Sequence, residues 1–171
     1  MNLTRAVRGD AGPRGTHVER SDGVRCVEAC SDAQRSMHHR IRHAVFVEEQ
    51  AIFAESDVDA YDARDDVVRV LALRGERPVG AVRLYQLDES SGLWKGDRLA
   101  VLADCRTCGA GAPLVRFAVA HARAHGGRRM VAHVQVANVR FFEHLGWSTY
   151  CGVEEYLGLT HQPMQIALID R

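Results

Sequence analysis

The sequence predicts a mixed α/β (α+β) fold in which a mostly antiparallel sheet is flanked by helices. Several short apolar segments with strand character follow one another along residues 67 to 169. Segments with helical periodicity stand before these strands and in their middle, and glycine-containing turns separate the elements. Because successive short strands pair most easily as antiparallel neighbours, this order favours a mixed sheet covered by helices.

The first half of the chain contributes one predicted helix and three predicted strands. The predicted helix covers residues 32–42, and the predicted strands cover 24–29, 67–73 and 79–86. The run Arg74-Gly75-Glu76-Arg77-Pro78 joins the last two strands and is typical of a hairpin-like connection. Between the helix and the second strand lies an acidic stretch without periodicity, which predicts irregular structure up to Asp66.

The second half contributes two predicted helices and four predicted strands. The strands are expected over residues 94–102, 129–135, 149–156 and 164–169, and the helices over 109–125 and 138–145. In the longer helix, apolar side chains recur at helical spacing and are expected to face the sheet; these are Leu114, Phe117, Ala118 and Ala122. Gly126-Gly127 is a C-terminal capping signal for that helix.

Length and composition predict one domain over residues 24–171. Residues 1–23 are rich in Arg, Gly and Asp and poor in large apolar side chains, which predicts a disordered N-terminal arm. Lys+Arg and Asp+Glu both number 22, so the balanced charge gives no reason to expect nucleic acid or an anionic membrane as a partner. We find neither a membrane-spanning stretch nor a signal-peptide pattern, and we expect a cytoplasmic protein.

A glycine-rich turn between a predicted strand and the longer helix is the most informative local feature. Gly109 and Gly111 allow a ligand to approach the backbone closely, and Pro113 suits the first helical turn. Free N–H groups at the positive end of a helix bind phosphate or pyrophosphate. The turn lacks the Gly-Lys-Ser/Thr ending of a P-loop and the full Gly-x-Gly-x-x-Gly of a dinucleotide fold.

The turn resembles the pyrophosphate loop of the GNAT acetyltransferases, Arg-x-x-Gly-x-Gly/Ala, with Arg106 as its arginine. A second motif of that family is similar to Asn138-Val139-Arg140-Phe141-Phe142-Glu143-His144-Leu145-Gly146-Trp147, which follows at the right distance. The front end, from Arg42 through Phe46 and Glu49 to Asp62, resembles the ElaA-like branch and also the acyl-homoserine-lactone synthases. The tail around Glu154-Glu155-Tyr156 and His161-Gln162-Pro163-Met164 resembles the ElaA-like branch as well.

This resemblance implies a GNAT (acyl-CoA N-acyltransferase) fold and an N-acetyltransferase. The enzyme would move an acetyl group from acetyl-CoA to a small-molecule amine by direct attack in a ternary complex. Cofactor contacts are then expected from the preceding strand, the loop and the second motif, namely from Leu99, Ala100, Val101, Arg106, Thr107, Cys108, Gly109, Ala110, Gly111, Ala112, Asn138 and Phe142. Substrate contacts are expected from Arg42, Phe46, Arg83 and His161. Relatives of this fold often dimerise, so a homodimer is kept as an alternative to a monomer.

The catalytic acid and base are less constrained by the sequence. Many relatives use the Tyr of a Phe-Tyr pair as the acid, but this chain has Phe142 there, which leaves Tyr150, Tyr156 or unassisted departure of the thiolate. The candidate bases are Glu49, Asp97, His133 and His161, the last of which is expected in a loop. On a strand, His133 would share a face with Gln135 and oppose the apolar side chains. We select His133 and Glu49 as bases and Tyr156 as the acid.

Three other groups of residues, one cysteine pair and two histidine pairs, give weaker indications of function. Cys105-Arg106-Thr107-Cys108 is a Cys-x-x-Cys without a partner motif, so we predict no metal and keep only an oxidation that would distort the loop as a hypothesis. The pairs His39/His43 and His121/His125 lack a third ligand.

The acidic residues Asp57, Asp59 and Asp62 are interpreted as a solvated loop, or as a surface that attracts a cationic amine. Arg83 and Arg98 lie in apolar strands and must reach solvent or a carboxylate. The alternative functions are a synthase-like acyltransferase with a longer acyl donor and a non-catalytic acyl-CoA-binding domain.

Overall fold

A computed structural model describes residues 20–21 and 23–169 of the protein. Almost all of the predicted N-terminal arm therefore lies outside the described residues. The described chain forms a nine-stranded sheet in the order β1-β2-β3-β4-β5-β6-β9-β7, with β8 paired to β9. The strands are β1 (Arg20–Ser21), β2 (Val24–Glu28), β3 (Val68–Arg74), β4 (Arg77–Asp88), β5 (Leu93–Val101), β6 (Arg129–Gln135), β7 (Ser148–Thr149), β8 (Glu154–Tyr156) and β9 (Leu159–Ala167).

All of the described strand pairs are antiparallel except β5 with β6. The long α2 connects these two strands, as a parallel pair requires a crossover. The predicted class, a mostly antiparallel mixed sheet flanked by helices, is therefore confirmed.

Three α-helices flank the sheet: α1 (Asp32–His43), α2 (Gly111–Ala124) and α3 (Val139–His144). Helix α1 begins with a capping box in which the Ser31 hydroxyl and the Gln34 side chain satisfy each other's backbone N–H groups. It continues without a break into a π-helical turn, Ala44–Glu49, that the sequence pattern did not predict. Helix α2 ends at a Schellman-type cap, since Gly126 has φ +79° and the Gly127 N–H bonds to the Ala122 carbonyl at 2.8 Å.

The C-terminal strands differ from their prediction. A single strand over 149–156 is wrong, because β7 and β8 are separate short strands on β9. Strand β9 begins at Leu159 rather than at residue 164. The strand accommodates Pro163, although proline breaks sheet ladders. It lies opposite the unpaired residues between β7 and β8, so its missing N–H costs no bond to either strand.

Apolar side chains fill both faces of the sheet. One cluster lies under α2 and contains the predicted helix residues, with Leu114, Phe117, Ala118 and Ala122 all buried. The second, smaller cluster packs under α1 and the π-helical turn, around Ile41, Val45 and Phe46. The sheet is thus a rigid central layer whose α1 face is only partly covered, and the open part of that face holds the site described next.

Candidate active site

Strands β5 and β6 separate part of the way along their length. They pair only from Leu93 with Arg129 to Lys95 with Val131. Beyond this point β5 stays paired with β4, and the β4 register contains a shift at Arg98, a non-glycine residue with φ +52°. Such a bulge adds one residue and bends the strand. The edge of β5 that faces β6 therefore offers backbone N–H and C=O groups that no neighbouring strand uses.

The opening leads to the start of α2. The chain passes through a 3-10 turn, Ala103–Cys108, and then through Gly109 in the left-handed region at φ +76°. No side chain caps α2, and its first turn contains no acidic residue. The first helical N–H groups therefore face a groove with about 1,120 Å³ of free space, a site suited to an anion. A Cβ on Gly111 would lie 3.3 Å from the Phe141 ring, which forms the opposite wall.

Two polar contacts span this groove. The Arg106 guanidinium makes an ion pair with Glu49 at the end of the π-helical turn. The Gln135 amide nitrogen, at the end of β6, donates to the Gln50 side-chain oxygen at 3.1 Å. The turn after α1 is thereby joined to the glycine loop and to β6. Glu49 pairs with Arg106 rather than with Arg42, and it does not line the inner cavity.

The inner cavity has about 780 Å³ of free space on the α1 face of the sheet. It adjoins the groove, because four side chains line both; these are Gln50, Leu99, Gln135 and Asn138. Phe46, Phe53 and Phe142 form apolar walls, whereas His133, Tyr156 and His161 form a polar and aromatic side. A ligand of mixed character can therefore extend from the start of α2 into the sheet.

His133 forms a dyad with Glu154 on β8. The two groups are 2.6 Å apart, Nε2 to Oε1, and the His133 ring stacks on Tyr156 with 4.2 Å between centroids. Because a carboxylate only accepts hydrogen bonds, Nε2 carries the proton, and the buried Nδ1 has no partner among the described residues. Burial lowers the pKa of His133, the charge of Lys95 lowers it further, and Glu154 opposes both. The neutral ring is the form expected near pH 7.

His161 does not lie in a loop, as the sequence suggested, but within β9, where it is buried. Its Nδ1 is 2.9 Å from the Leu159 carbonyl oxygen and must donate to it. The neutral ring then keeps its lone pair on Nε2. Tyr156 stands between the two histidines, with its ring edge-on to His161 at 5.4 Å between centroids. The strand pairing of β8 with β9 explains this placement, which the local sequence pattern did not indicate.

Arg42 and Arg83 lie outside the cavity in a buried ion-pair network. Arg83 is fully buried and binds Asp97 and Asp59 through pairs of hydrogen bonds of 2.6 to 2.9 Å. Arg42 is also fully buried and binds Asp57 at 2.6 Å and Asp62 at 2.7 Å. These guanidinium groups are occupied by protein carboxylates, as the burial of a charge in an apolar strand requires.

The acidic stretch is therefore neither a solvated loop nor a free anionic surface. Asp57 is buried and Asp62 is half-buried, and together with Asp59 they bind three arginines, the third being Arg98. Burial alone would raise the pKa of Asp62, but the hydrogen bonds and charge of Arg42 hold it well below its usual range. Asp97 binds Arg83 rather than Lys95 or Arg98. This network ties the irregular segment to β4 and β5 beneath the cavity.

The structure brings most of the predicted site residues to one passage. The groove is lined by Leu99, Val101, Arg106, Gly109, Gly111, Ala112 and Asn138, and the cavity by Phe46, His133, Phe142, Tyr156 and His161. Ala100 and Ala110 are instead buried in the two cores and line neither the groove nor the cavity. Thr107 and Cys108 lie in the 3-10 turn before it. The prediction that His133 and Gln135 share the face opposite Met130, Ala132 and Val134 is confirmed.

Sequence reasoning missed several residues of the passage, among them Gln50, Phe141 and Lys95. Gln50 was hidden in an apparently irregular region, whereas the π-helical turn aims it across the groove. Phe141, rather than only its neighbour Phe142, lines the groove, a result of the helical phase of α3. Lys95 lines the cavity on the same face of β5 as Asp97, which the alternation of side chains on that strand indicates.

The cysteine and histidine motifs form no metal site in the described part of the chain. No group of three or more His, Cys, Asp or Glu side chains there is arranged to hold a metal ion. Cys105 and Cys108 are free thiols, and burial raises the pKa of Cys105. His121 and His125 stack with 4.0 Å between centroids. None of the helices in residues 23–169 is both long and apolar enough to cross a bilayer.

Comparison with known proteins identifies the family to which this chain belongs. The model of the acetyltransferase (GNAT) family matches residues 35–147. The curated "Uncharacterized N-acetyltransferase YjcF" of Bacillus subtilis is 29% identical over 144 residues, which cover 82% of this chain and 98% of that protein.

Solved structures show the same fold. Escherichia coli ElaA has a TM-score of 0.72 at 21% identity, covering 87% of this chain and 99% of its own. The CoA-dependent acyl-homoserine lactone synthase BjaI has a TM-score of 0.68 at 21% identity, covering 84% and 82%. An aminoglycoside 6'-N-acetyltransferase complexed with coenzyme A has a TM-score of 0.68 at 16% identity, covering 85% and 98%.

Proposed function

The chain belongs to the GNAT acetyltransferase family, and on that premise we propose that it transfers an acetyl group from acetyl-CoA to the amine of a small metabolite. The separation of β5 from β6, which opens onto the uncapped start of α2, carries this proposal. One passage joins an anion-binding helix end to a cavity with two histidines. The coenzyme A held by the related aminoglycoside acetyltransferase supports the choice of cofactor.

The residues of the groove suit coenzyme A. The N–H groups of Gly109 to Ala112, with Arg106, would bind the pyrophosphate, because they present positive charge without a competing acidic residue on the helix itself. The unpaired edge of β5 at Leu99 and Val101 would bind the pantetheine amides and the thioester carbonyl. Asn138 and Phe142 line the passage on the other side. Acetyl-CoA supplies an acyl group activated as a thioester.

The acceptor amine must lose a proton before it attacks. We assign His133 as the base, because Glu154 fixes its ring and its lowered pKa keeps it neutral; since Nε2 donates to Glu154, the amine proton would go to the unpartnered Nδ1. The amine nitrogen then bonds to the thioester carbon, and a β5 N–H stabilises the carbonyl oxygen as it gains negative charge. The carbon–sulfur bond breaks, Tyr156 donates its proton to the departing thiolate, and the bonded nitrogen loses its second proton, which restores the Tyr156 hydroxyl. His161, with a lone pair on Nε2, is the alternative base.

Glu49 takes a different role in this proposal. It was selected as a base from the sequence, but its ion pair with Arg106 places it at the cofactor loop. Its carboxylate forms an ion pair with the Arg106 guanidinium, which is the group that would bind the pyrophosphate. Arg42 and Arg83 support the cavity from beneath through their buried ion pairs rather than by binding substrate.

Calorimetric titration with acetyl-CoA tests the cofactor site. We expect micromolar binding to the native protein and its loss in the variant Arg106→Ala/Gly109→Val. The matched control is Arg25→Ala/Gly75→Val, because Arg25 is also an ion-paired surface arginine and Gly75 also has positive φ, at +61°. Equal binding by both variants would refute the assigned loop. No binding of any acyl-CoA to the native protein would refute the function.

Turnover tests the catalytic assignment. If His133 is the base, kcat/KM for an amine acceptor falls as the pH drops through its lowered pKa, since the protonated ring cannot accept a proton. His133→Gln is expected to reduce kcat by about 100-fold or more. His161→Gln is the comparison variant, and a larger loss there would transfer the role to His161.

A longer acyl donor is the second candidate function. A small apolar space lies behind the cavity between the sheet and α2, lined by Gly96, Leu99, Ala132, Phe142 and Trp147 among others. The fold shared with BjaI is consistent with this candidate. Rates measured with a series of straight-chain acyl-CoA donors distinguish the two functions. A maximum at acetyl supports the first, and a maximum at longer chains supports the second.

A further inference from the structure

Lys95 lies at the bottom of the cavity, where β5 is paired on both sides. Its neighbours in register are Tyr85 on β4 and Val131 on β6. The side chain is half-buried, and its ammonium nitrogen stands 5.1 Å from the centre of the Tyr156 ring. It lines the same cavity as His133. The ammonium is therefore held beside the proposed catalytic groups rather than extended into solvent.

The other charged groups of the cavity are already neutralised by the protein. Asp97 accepts hydrogen bonds from Arg83 on both of its oxygens. Arg98 bonds to the Asp57 carbonyl and to Asp59. Among the described residues, Lys95 is the charged side chain lining this cavity that makes no ion pair.

The charge of Lys95 lies close enough to act on His133. The charge of Lys95 is one of the causes that lower the pKa of His133. The Tyr156 ring offsets part of the hydration that this half-buried ammonium loses, but no carboxylate forms an ion pair with it among the described residues. A ligand with an anionic group recovers that cost, whereas a second cationic group on the ligand is repelled.

We propose that the acceptor is an amine that also carries a carboxylate, and that Lys95 binds this carboxylate. The inference rests on the proposed function, because it takes His133 as the group that receives the amine proton. Lys95 is paired with Val131, two residues before His133 on the neighbouring strand. The carboxylate and the amine of one small molecule can therefore reach Lys95 and His133 together. The substrate class is an amino acid or a related amino carboxylate.

Three bisubstrate probes of the form CoA–S–CH₂–CO–NH–R test the charge preference without requiring turnover. The group R is derived from 4-aminobutyrate, from butylamine or from 1,4-diaminobutane, so that the probes end in a carboxylate, a methyl or an ammonium group. Calorimetry with the native protein measures their affinities. We expect the carboxylate probe to bind about tenfold tighter than the methyl probe, and the ammonium probe to bind weakest.

The variant Lys95→Met is expected to equalise the carboxylate and methyl probes. Arg129→Met is the matched control, because it removes one positive charge from the neighbouring strand at an exposed position outside the cavity. Equal affinities in the native protein, or tightest binding of the ammonium probe, would overturn the inference and leave the proposed function intact. A preference retained in Lys95→Met would also overturn it. If neither coenzyme A nor any probe binds, the proposed function fails and the inference fails with it.

Discussion

His38 gives the protein a defined sensitivity to acid. This residue of α1 has a fully buried side chain. Its Nε2 lies 3.0 Å from the Val82 carbonyl oxygen, to which it donates. Its Nδ1 is buried without a partner among the described residues. Burial lowers the pKa of His38 from 6.5 to about 3, and the nearby charge of Arg42 acts in the same direction. The folded protein therefore keeps this ring neutral at pH values where the unfolded chain protonates it.

The size of the effect follows from this difference in pKa. Stability is complete above the unfolded pKa of 6.5 and is lost as the pH falls towards the folded value of about 3. Well below the unfolded pKa, each pH unit removes about 1.4 kcal/mol from the free energy of unfolding. Between about pH 6.5 and about pH 4.5, His38 therefore costs about 2 kcal/mol. Carboxylates such as Asp62, whose pKa is lowered, lose their contribution only at lower pH.

Urea unfolding at a series of pH values measures this loss. In His38→Gln, the amide N–H keeps a donor for the Val82 carbonyl but has no proton to gain. We expect the stability of the native protein to fall by about 2 kcal/mol more than that of the variant over this window. His144→Gln is the control at an exposed position. Parallel curves for the native protein and His38→Gln would refute the reasoning.

Three further variants test other contacts. Arg83→Met leaves Asp97 without its buried partner, and we expect urea unfolding to show a loss of about 3 kcal/mol or more. A Cβ on Gly127 would lie 2.5 Å from a backbone carbonyl oxygen, so Gly127→Ala should cost about 2 kcal/mol, whereas Gly152→Ala, with nothing within 4 Å, should change the melting temperature little. Glu49→Gln frees the Arg106 guanidinium and should tighten acetyl-CoA binding several-fold in calorimetry; unchanged affinity would show that the two anions do not compete.

The local sequence pattern predicted the fold and which face of a strand is apolar. It did not predict the partners of the charged side chains. The alternation along residues 129–135 placed His133 opposite the apolar positions, and the structure agrees, because strand geometry is set within a few residues. Arg83 shows what the local sequence pattern could not predict. Its burial in an apolar strand required a carboxylate, yet its partners Asp59 and Asp97 lie 24 and 14 residues away. That choice depends on how an irregular segment folds back over the sheet.

The candidate site shows the same division. The glycine turn was recognisable because its chemistry is local, and Gly109 does have the positive φ that only glycine adopts easily. The dyad of His133 with Glu154 was not recognised, because the two residues meet only through the pairing of β8 with β9 and of β9 with β6. The burial of His161 has the same origin. Catalytic groups assembled from several strands are a property of topology rather than of sequence spacing.

The gap between β5 and β6 also means that this sheet has an edge in its middle. Exposed edges attract the strands of other chains, and proteins usually protect them at the rim of a sheet. Here the unpaired edge of β5 is guarded by two side-chain contacts, Glu49 with Arg106 and Gln50 with Gln135, which leave a narrow passage. We expect a slender ligand that carries its own amides to enter and complete the ladder, and a full polypeptide strand with its side chains to be excluded. We therefore expect the width of a ligand to decide whether it enters, before its chemical groups decide how it binds.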